Sequence, residues 1–161
     1  VSERAFQRAE QVEGRGYYFD FLEFRSNHAK GMTPSTPVIP LIHALNYTLK
    51  KIIQEGVANR HNRHTELNQI VHKWVASKGF ELLPKQEFAS KSLTCVRNNL
   101  DIDVAGFVKT LREEKKISID GGYGKIKGKT FRISNMGDET VDSINHLISN
   151  MDEVLSSFLP A

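Results

Sequence analysis

The sequence predicts an α+β fold, a small antiparallel or mixed sheet covered by helices and preceded by long helices. Three observations predict it. Apolar residues recur at helical spacing over residues 41–53 and again over 57–78. From Phe80 the apolar runs shorten to strand length, FELLP and LTCVRN, and later ISID and TFRIS. The last stretch carries Val141, Ile144, Leu147, Ile148, Met151, Val154, Leu155 and Phe158 as a single stripe at helical period. With 161 residues the chain has the size of one ordinary domain, long enough to bury a core without staples.

Taken in order, Ser2 before ERAFQRAEQ reads as an N-cap and a short helix, with Glu3 in the first turn where the helix dipole favours an acid. Gly14 to Gly16 end it. YYFDFLEFR, residues 17–25, fits a strand or a short amphipathic helix, and over so few residues periodicity does not decide. GMTPSTPVIP holds three prolines in ten residues and reads as an extended loop up to Thr36 and Pro37, which suit an N-cap and first helical position.

Leu41, Ile42, Leu45, Leu49, Ile52 and Ile53 then form a helix up to Gly56. A second helix follows from about Val57 to Lys78, with Leu67, Ile70, Val71, Trp74 and Val75 on one side and Gly79 as its stop. DVAGFVKTLREEKK is expected as a helix capped by Asp103, and Asp138 is expected to cap the final helix. Three segments result: 1–36, 37–79 as a long helical connection, and 80–161 as an α+β domain.

Composition narrows the function classes. Hydrophobic residues are 39% and charged residues 25%, a globular balance that is neither disordered nor membrane-embedded. No apolar run is long enough to span a bilayer, and charges occupy the start where a signal peptide needs an apolar stretch, so a cytoplasmic protein is expected. The net charge is +3, but 22 Lys and Arg are interleaved with 19 Asp and Glu, which gives nucleic-acid binding little support. The lone Cys95 lies in an apolar strand-like run with no histidine nearby to activate it, so a structural thiol in a reducing compartment is expected.

Four groups of residues could carry chemistry. IDGGYGKIKGKTFRIS ends its glycine run in Gly-Lys-Thr, but a phosphate loop needs a glycine where Tyr123 stands and must open a helix, whereas TFRIS reads as a strand. The segment is a positive-φ turn between strands or a loop that brings backbone close to a ligand. Arg132 alternates with Phe131 and Ile133 and so leaves the core. It is an exposed strand arginine or, if its face looks into a cleft, a fork that clamps a carboxylate through two parallel bonds.

Thr33, Ser35 and Thr36 place hydroxyls at an expected helix start, where they serve as caps or as phosphate donors. His61 and His64 share a helix face without the glutamate of a zinc motif, so a solvated face and no metal site are expected. His43, His72 and His146 are scattered and take no role.

TPSTPVIPLIHAL followed by KKIIQEG resembles the Thr-Pro loop and long helix of the class V aminotransferases of the serine-pyruvate and alanine-glyoxylate type. ISIDGGYGKIKGKTFRISNMGDET resembles their Gly-Gly loop, their Arg-Ile strand and the glycine before their final helix, and VSERAF resembles the segment after their cofactor lysine. The resemblance runs in register over nearly the whole chain. It implies the C-terminal small domain of a fold-type I enzyme, usually a homodimer, that uses pyridoxal phosphate to move an amino group between alanine or serine and glyoxylate or pyruvate.

By the same resemblance, residues 1–36 are a remnant of the large domain with the inter-domain loop. Arg132 matches the arginine that grips the substrate α-carboxylate, Thr36 matches the residue that reaches the cofactor phosphate of the neighbouring subunit, and Thr33 matches less closely. The cofactor lysine, the aspartate for the pyridine nitrogen and the stacking aromatic belong to a part of the family chain that this sequence does not contain. Lys30, Lys125, Lys127 and Lys129 do not match the lysine motif, so the chain alone is expected to have no catalytic residue, no covalent cofactor and no activity. The alternative is a free-standing α+β module that binds a small anion or a partner through the glycine loop and Arg132. It predicts covered apolar surface, whereas a domain separated from its neighbour exposes YYFDFLEF and the 37–56 helix.

Overall fold

A computed structural model describes residues 1–159, with six α-helices and three short strands among them. The chain divides into two compact units that meet in sequence between Lys51 and Ile52.

The first unit holds α1 (Glu3–Glu10), α2 (Phe21–Ala29) and most of α3 (Ile39–Glu55). Ser2 caps α1, accepting from the Ala5 N–H, as the sequence predicts. The open choice at 17–25 resolves as a helix that starts at Phe21, because Asp20 accepts from the Leu22 N–H at 3.0 Å and is held by Arg15 at 3.0 Å. Thr36 and Pro37 do not open α3. The helix begins at Ile39, and the Val38 carbonyl accepts from Leu41 and Ile42 at 3.0 and 3.1 Å. Pro40 sits in the first turn instead, where its missing N–H costs no bond, and two prolines three residues apart are locally equivalent on that criterion.

No residue of α1, α2 or α3 is buried. Leu41, Leu45 and Leu49, spaced along one helical face, are 66%, 58% and 46% exposed, and Tyr17, Tyr18 and Phe19 are exposed as well. The surface expected for a domain separated from its neighbour is present.

The second unit carries the core. Gly56 turns the chain at φ +83 into α4 (Val57–Ser77), and Gly79 ends that helix at φ +76. β1 (Glu81–Leu82), β2 (Leu93–Arg97) and β3 (Thr130–Ser134) form an antiparallel sheet in the order β1-β2-β3, with Val96 opposite Phe131 and Cys95 opposite Arg132. Asp103 caps α5 (Val104–Lys115) through the Gly106 N–H. The expected strand ISID reduces to one residue, Asp120, bridged to Arg132, because the glycines after it turn the backbone away. Nor does Asp138 cap α6 (Val141–Leu155). Thr140 does, in a reciprocal capping box with Ser143, and Asp138 stands 3.8 Å from Arg60.

The core gathers Leu67, Val71, Trp74 and Val75 from α4, Phe107 and Leu111 from α5, and Ile144, Met151 and Leu155 from α6, against Val96, Phe131 and Ile133 of the sheet. Phe131 stands edge-on to Phe80 (5.2 Å) and to Phe107 (5.8 Å), an arrangement that adds about 0.5–1.5 kcal/mol per pair beyond burial. Two polar groups inside are paired: the buried Asn68 donates to Thr94 at 3.1 Å, and Trp74 Nε1 donates to Asp152 at 2.6 Å.

A charged knot fixes the turn between β3 and α6. Glu55, the last residue of α3, accepts from Arg63 at 2.7 Å and from Arg60 at 3.0 Å. Both arginines in turn donate to the Gly137 carbonyl, and Arg63 donates to that of Glu139 at 2.6 Å. His64, expected on a solvated face, belongs to the same region: its Nδ1 lies 2.8 Å from the Asn135 carbonyl, while His61 is exposed. The Arg63 hydrogen bond, helped by Arg60 and opposed by burial, brings the Glu55 pKa down to about 2.

A depressed carboxylate contributes stability that is complete above its unfolded pKa and is lost as pH falls through the folded one. Replacing Glu55 by Gln is therefore expected to lower the melting temperature by a constant amount above pH 5. The difference from wild type should shrink as pH falls from 4.5 towards 2, read by circular dichroism melts across that range.

Candidate functional site

Alternation on β3 decides where Arg132 goes. Phe131 and Ile133 are fully buried, so the residue between them emerges on the other face of the sheet, where Arg132 is half-buried. There it has Cys95 opposite it on β2 and Asp120 on its other side. The Arg132 N–H donates to the Asp120 carbonyl at 2.7 Å, and the Asp120 N–H donates back at 3.4 Å. The side chains pair as well, Nη2 to Oδ1 at 2.9 Å, and the guanidinium lies 4.4 Å from the centre of the Tyr123 ring. Arg132 Nε is buried without a partner, an orphaned donor of the kind that marks a strained or ligand-directed group.

The glycine loop builds the rest. Gly122 at φ +80 donates its N–H to Asp120 Oδ1 at 2.7 Å, closing an Asx-type turn that ties the carboxylate to the loop. A Cβ there would overlap the Thr130 hydroxyl and come within 3.0 Å of the Ile126 carbonyl oxygen, so the position requires glycine. Asn98 pins the far end, donating to the carbonyls of Ile102 and Gly128. As the sequence predicts, a strand follows the loop and no phosphate-binding helix opens there.

A cavity of about 380 Å³ opens beside the guanidinium, lined by Leu93, Arg112, Ser118, Asp120, Arg132 and Ser134. Asp120 also lines a second cavity, of about 550 Å³, together with the glycine turn and Val104 and Val108 of α5.

Electrostatics follow the geometry. Burial alone would raise the Asp120 pKa, but the Gly122 N–H, Tyr123 and Arg132 together hold it below the ordinary carboxylate value. The bond to Asp120 raises that of Arg132, which stays charged. Burial pushes the Cys95 thiol up, as befits an unreactive cysteine.

Thr33 and Thr36 lie in the exposed loop before α3, in the first unit. Thr33 Oγ1 donates to the Ser35 carbonyl at 2.8 Å, and the Tyr17 hydroxyl reaches the Pro34 carbonyl at 3.4 Å. Among the described residues no group of His, Cys, Asp or Glu could hold a metal ion, and no helix is long and apolar enough to cross a membrane. Asp120 and Tyr123 are the members of the arginine site that sequence reasoning did not single out. The signal available for them was the Asp-Gly-Gly step, a turn whose carboxylate returns to its own backbone.

The fold and this site define an α+β domain that presents an arginine on a strand beside a glycine loop. No protein-family profile matches the chain. It is 32% identical over 139 residues to an uncharacterised aminotransferase of Methanocaldococcus jannaschii, covering 85% of this chain and 36% of that protein. It is 29% identical to the serine–glyoxylate aminotransferase of Methylorubrum extorquens, over 86% of this chain and 36% of that one. The fold superposes on the crystal structure of an alanine–glyoxylate aminotransferase from Nostoc sp. with a TM-score of 0.86 and 26% identity, over 96% of this chain and 42% of that one.

In sequence and fold, the chain corresponds to a C-terminal part of aminotransferases of the serine–glyoxylate and alanine–glyoxylate kind. It spans about a third of the length of these curated relatives, 36% in both cases.

Replacing Gly122 by Ala is expected to destabilise the chain by about 2 kcal/mol, from the left-handed backbone and the Thr130 overlap. Urea unfolding would measure the loss, and Gly124→Ala, with open space around it, should cost less.

Proposed function

We propose that the chain is the C-terminal part of a class V, pyridoxal-phosphate-dependent aminotransferase that moves an amino group between alanine or serine and glyoxylate or pyruvate. The observation that carries the reading is Arg132, a charged, half-buried guanidinium on the open face of the sheet beside a cavity. A planar fork in that position suits a substrate α-carboxylate, and gripping the carboxylate orients the α C–H bond for proton removal.

Residues 1–36 we assign to the large domain and the inter-domain loop, 37–79 to the helical connection and 80–161 to the small domain. Pyridoxal phosphate, when bound, supplies the electron sink for the reaction. In this chain, Thr36, with Thr33 beside it, would take the phosphate of the cofactor in the neighbouring subunit of a homodimer. The donor set of residues 30–38 fits such a group, since Thr33, Ser35, Thr36 and Lys30 are joined there by no carboxylate.

The lysine that would hold the cofactor lies, on this reading, in the portion of the parent enzyme outside these residues, and the chain alone is inactive. We place the enzyme in the cytoplasm, a reducing compartment in which the Cys95 thiol stays reduced. The exposed leucine face of α3 supports a chain that normally packs against more protein, and it counts against a free-standing anion-binding module.

Comparing the intact mass of the protein with its open reading frame, and titrating both products with pyridoxal phosphate, tests this reading. The full product should show a retained visible absorbance band that this chain alone lacks. In the full product, Arg132→Lys is expected to lower kcat/KM by about 100-fold while leaving the band in place. An unchanged kcat/KM would remove Arg132 from substrate binding.

A further inference from the structure

We infer that Asp120 is a positioning residue that sets the charge selectivity of the Arg132 site, so that it takes a monocarboxylate with an uncharged side chain and disfavours a dicarboxylate. The inference rests on the reading of Arg132 as a carboxylate site and goes beyond it by naming what limits the ligand.

Asp120 is held in place from several directions. Its backbone is bridged to that of Arg132 in both directions, and its Oδ1 accepts from the Gly122 N–H at 2.7 Å and from Arg132 Nη2 at 2.9 Å. The guanidinium is confined too, with Tyr123 at 4.4 Å from its carbon and Nε buried. With Nη2 engaged and Nε enclosed, a ligand meets what remains of the fork, and it does so in a cavity whose wall includes the Asp120 carboxylate. One incoming carboxylate is attracted by a guanidinium whose charge is already partly answered. A second carboxylate on the same small molecule would bring two negative charges beside Asp120, at a separation where repulsion is felt even in partly solvated surroundings. The other cation lining the cavity, Arg112, is exposed at the end of α5 and directed at Ser118 Oγ, 3.4 Å away, where solvent weakens its pull.

The test uses the full chain, with pyruvate and 2-oxoglutarate as mono- and dicarboxylate probes at constant ionic strength. Burial of Arg132 Nε slows exchange of its proton, so its side-chain resonance, assigned by its loss in Arg132→Lys, reports binding by NMR. Asp120→Asn keeps an oxygen to accept the Gly122 N–H while removing the charge. Asp120→Ser serves as the uncharged variant should the first fail to fold, and Asp120→Glu keeps the charge.

We expect wild type and Asp120→Glu to bind pyruvate about tenfold more tightly than 2-oxoglutarate, and the uncharged variant to bring the two within about twofold. A purely structural Asp120 would leave that ratio unmoved. Binding that depends on Arg132 but has the same ratio with and without the Asp120 charge overturns the inference and leaves the Arg132 reading standing. Tighter binding of 2-oxoglutarate by wild type also overturns it, and transfers selectivity to Arg112. If neither acid moves the Arg132 resonance in wild type or the uncharged variant, the reading of Arg132 as a carboxylate site falls, and the inference with it.

Discussion

The burial of Phe131 governs the second unit. Its ring is fully enclosed and stands edge-on to both Phe80 and Phe107, so it joins the sheet to the segment after α4 and to α5. Because side chains on a strand alternate, holding Phe131 inward leaves Arg132 one face available, the one away from the helices. A shift of one residue in the β2–β3 register would bury the guanidinium and expose the ring, which the core does not tolerate. The candidate site is thus positioned by apolar packing on the opposite side of the sheet.

Two further devices refine that placement, and both place charge beside backbone. Asp120 uses one carboxylate to cap the glycine turn and to hold the guanidinium, so the loop and the arginine form one rigid piece. Glu55, Arg60 and Arg63 gather the carbonyls of Gly137 and Glu139, fixing the turn that leads from β3 into α6. What they contribute here is geometry, because Asp120 fixes the glycine turn that precedes β3, and the arginines fix the Gly137 and Glu139 carbonyls of the turn that follows it.

The first unit has the opposite character. Its helices are well capped, yet none of their residues is buried, and the leucines of α3 face outward. Helices of this length owe most of their stability in proteins to packing of an apolar face. In α3 that face is left exposed, in a chain that spans about a third of the length of its relatives.

Much of this was legible in the residues themselves. The long periods of α3, α4 and α6, the caps at Ser2 and Asp103, the strands at LTCVR and TFRIS and the outward direction of Arg132 all follow from local rules, since each depends on neighbours a few positions away. Local rules also left ties they had no means to break. Pro37 and Pro40 suit a first helical turn equally, Asp138 and Thr140 are both good caps, and nine residues of aromatic sequence serve a helix or a strand. The long-range contacts decided other matters: that Asp120 lies beside Arg132 although the two are twelve positions apart, that Tyr123 flanks the guanidinium, and that His64 reaches Asn135 from 71 positions away. Such pairings depend on the sheet register and on the burial of Phe131, quantities that exist only once distant segments have met.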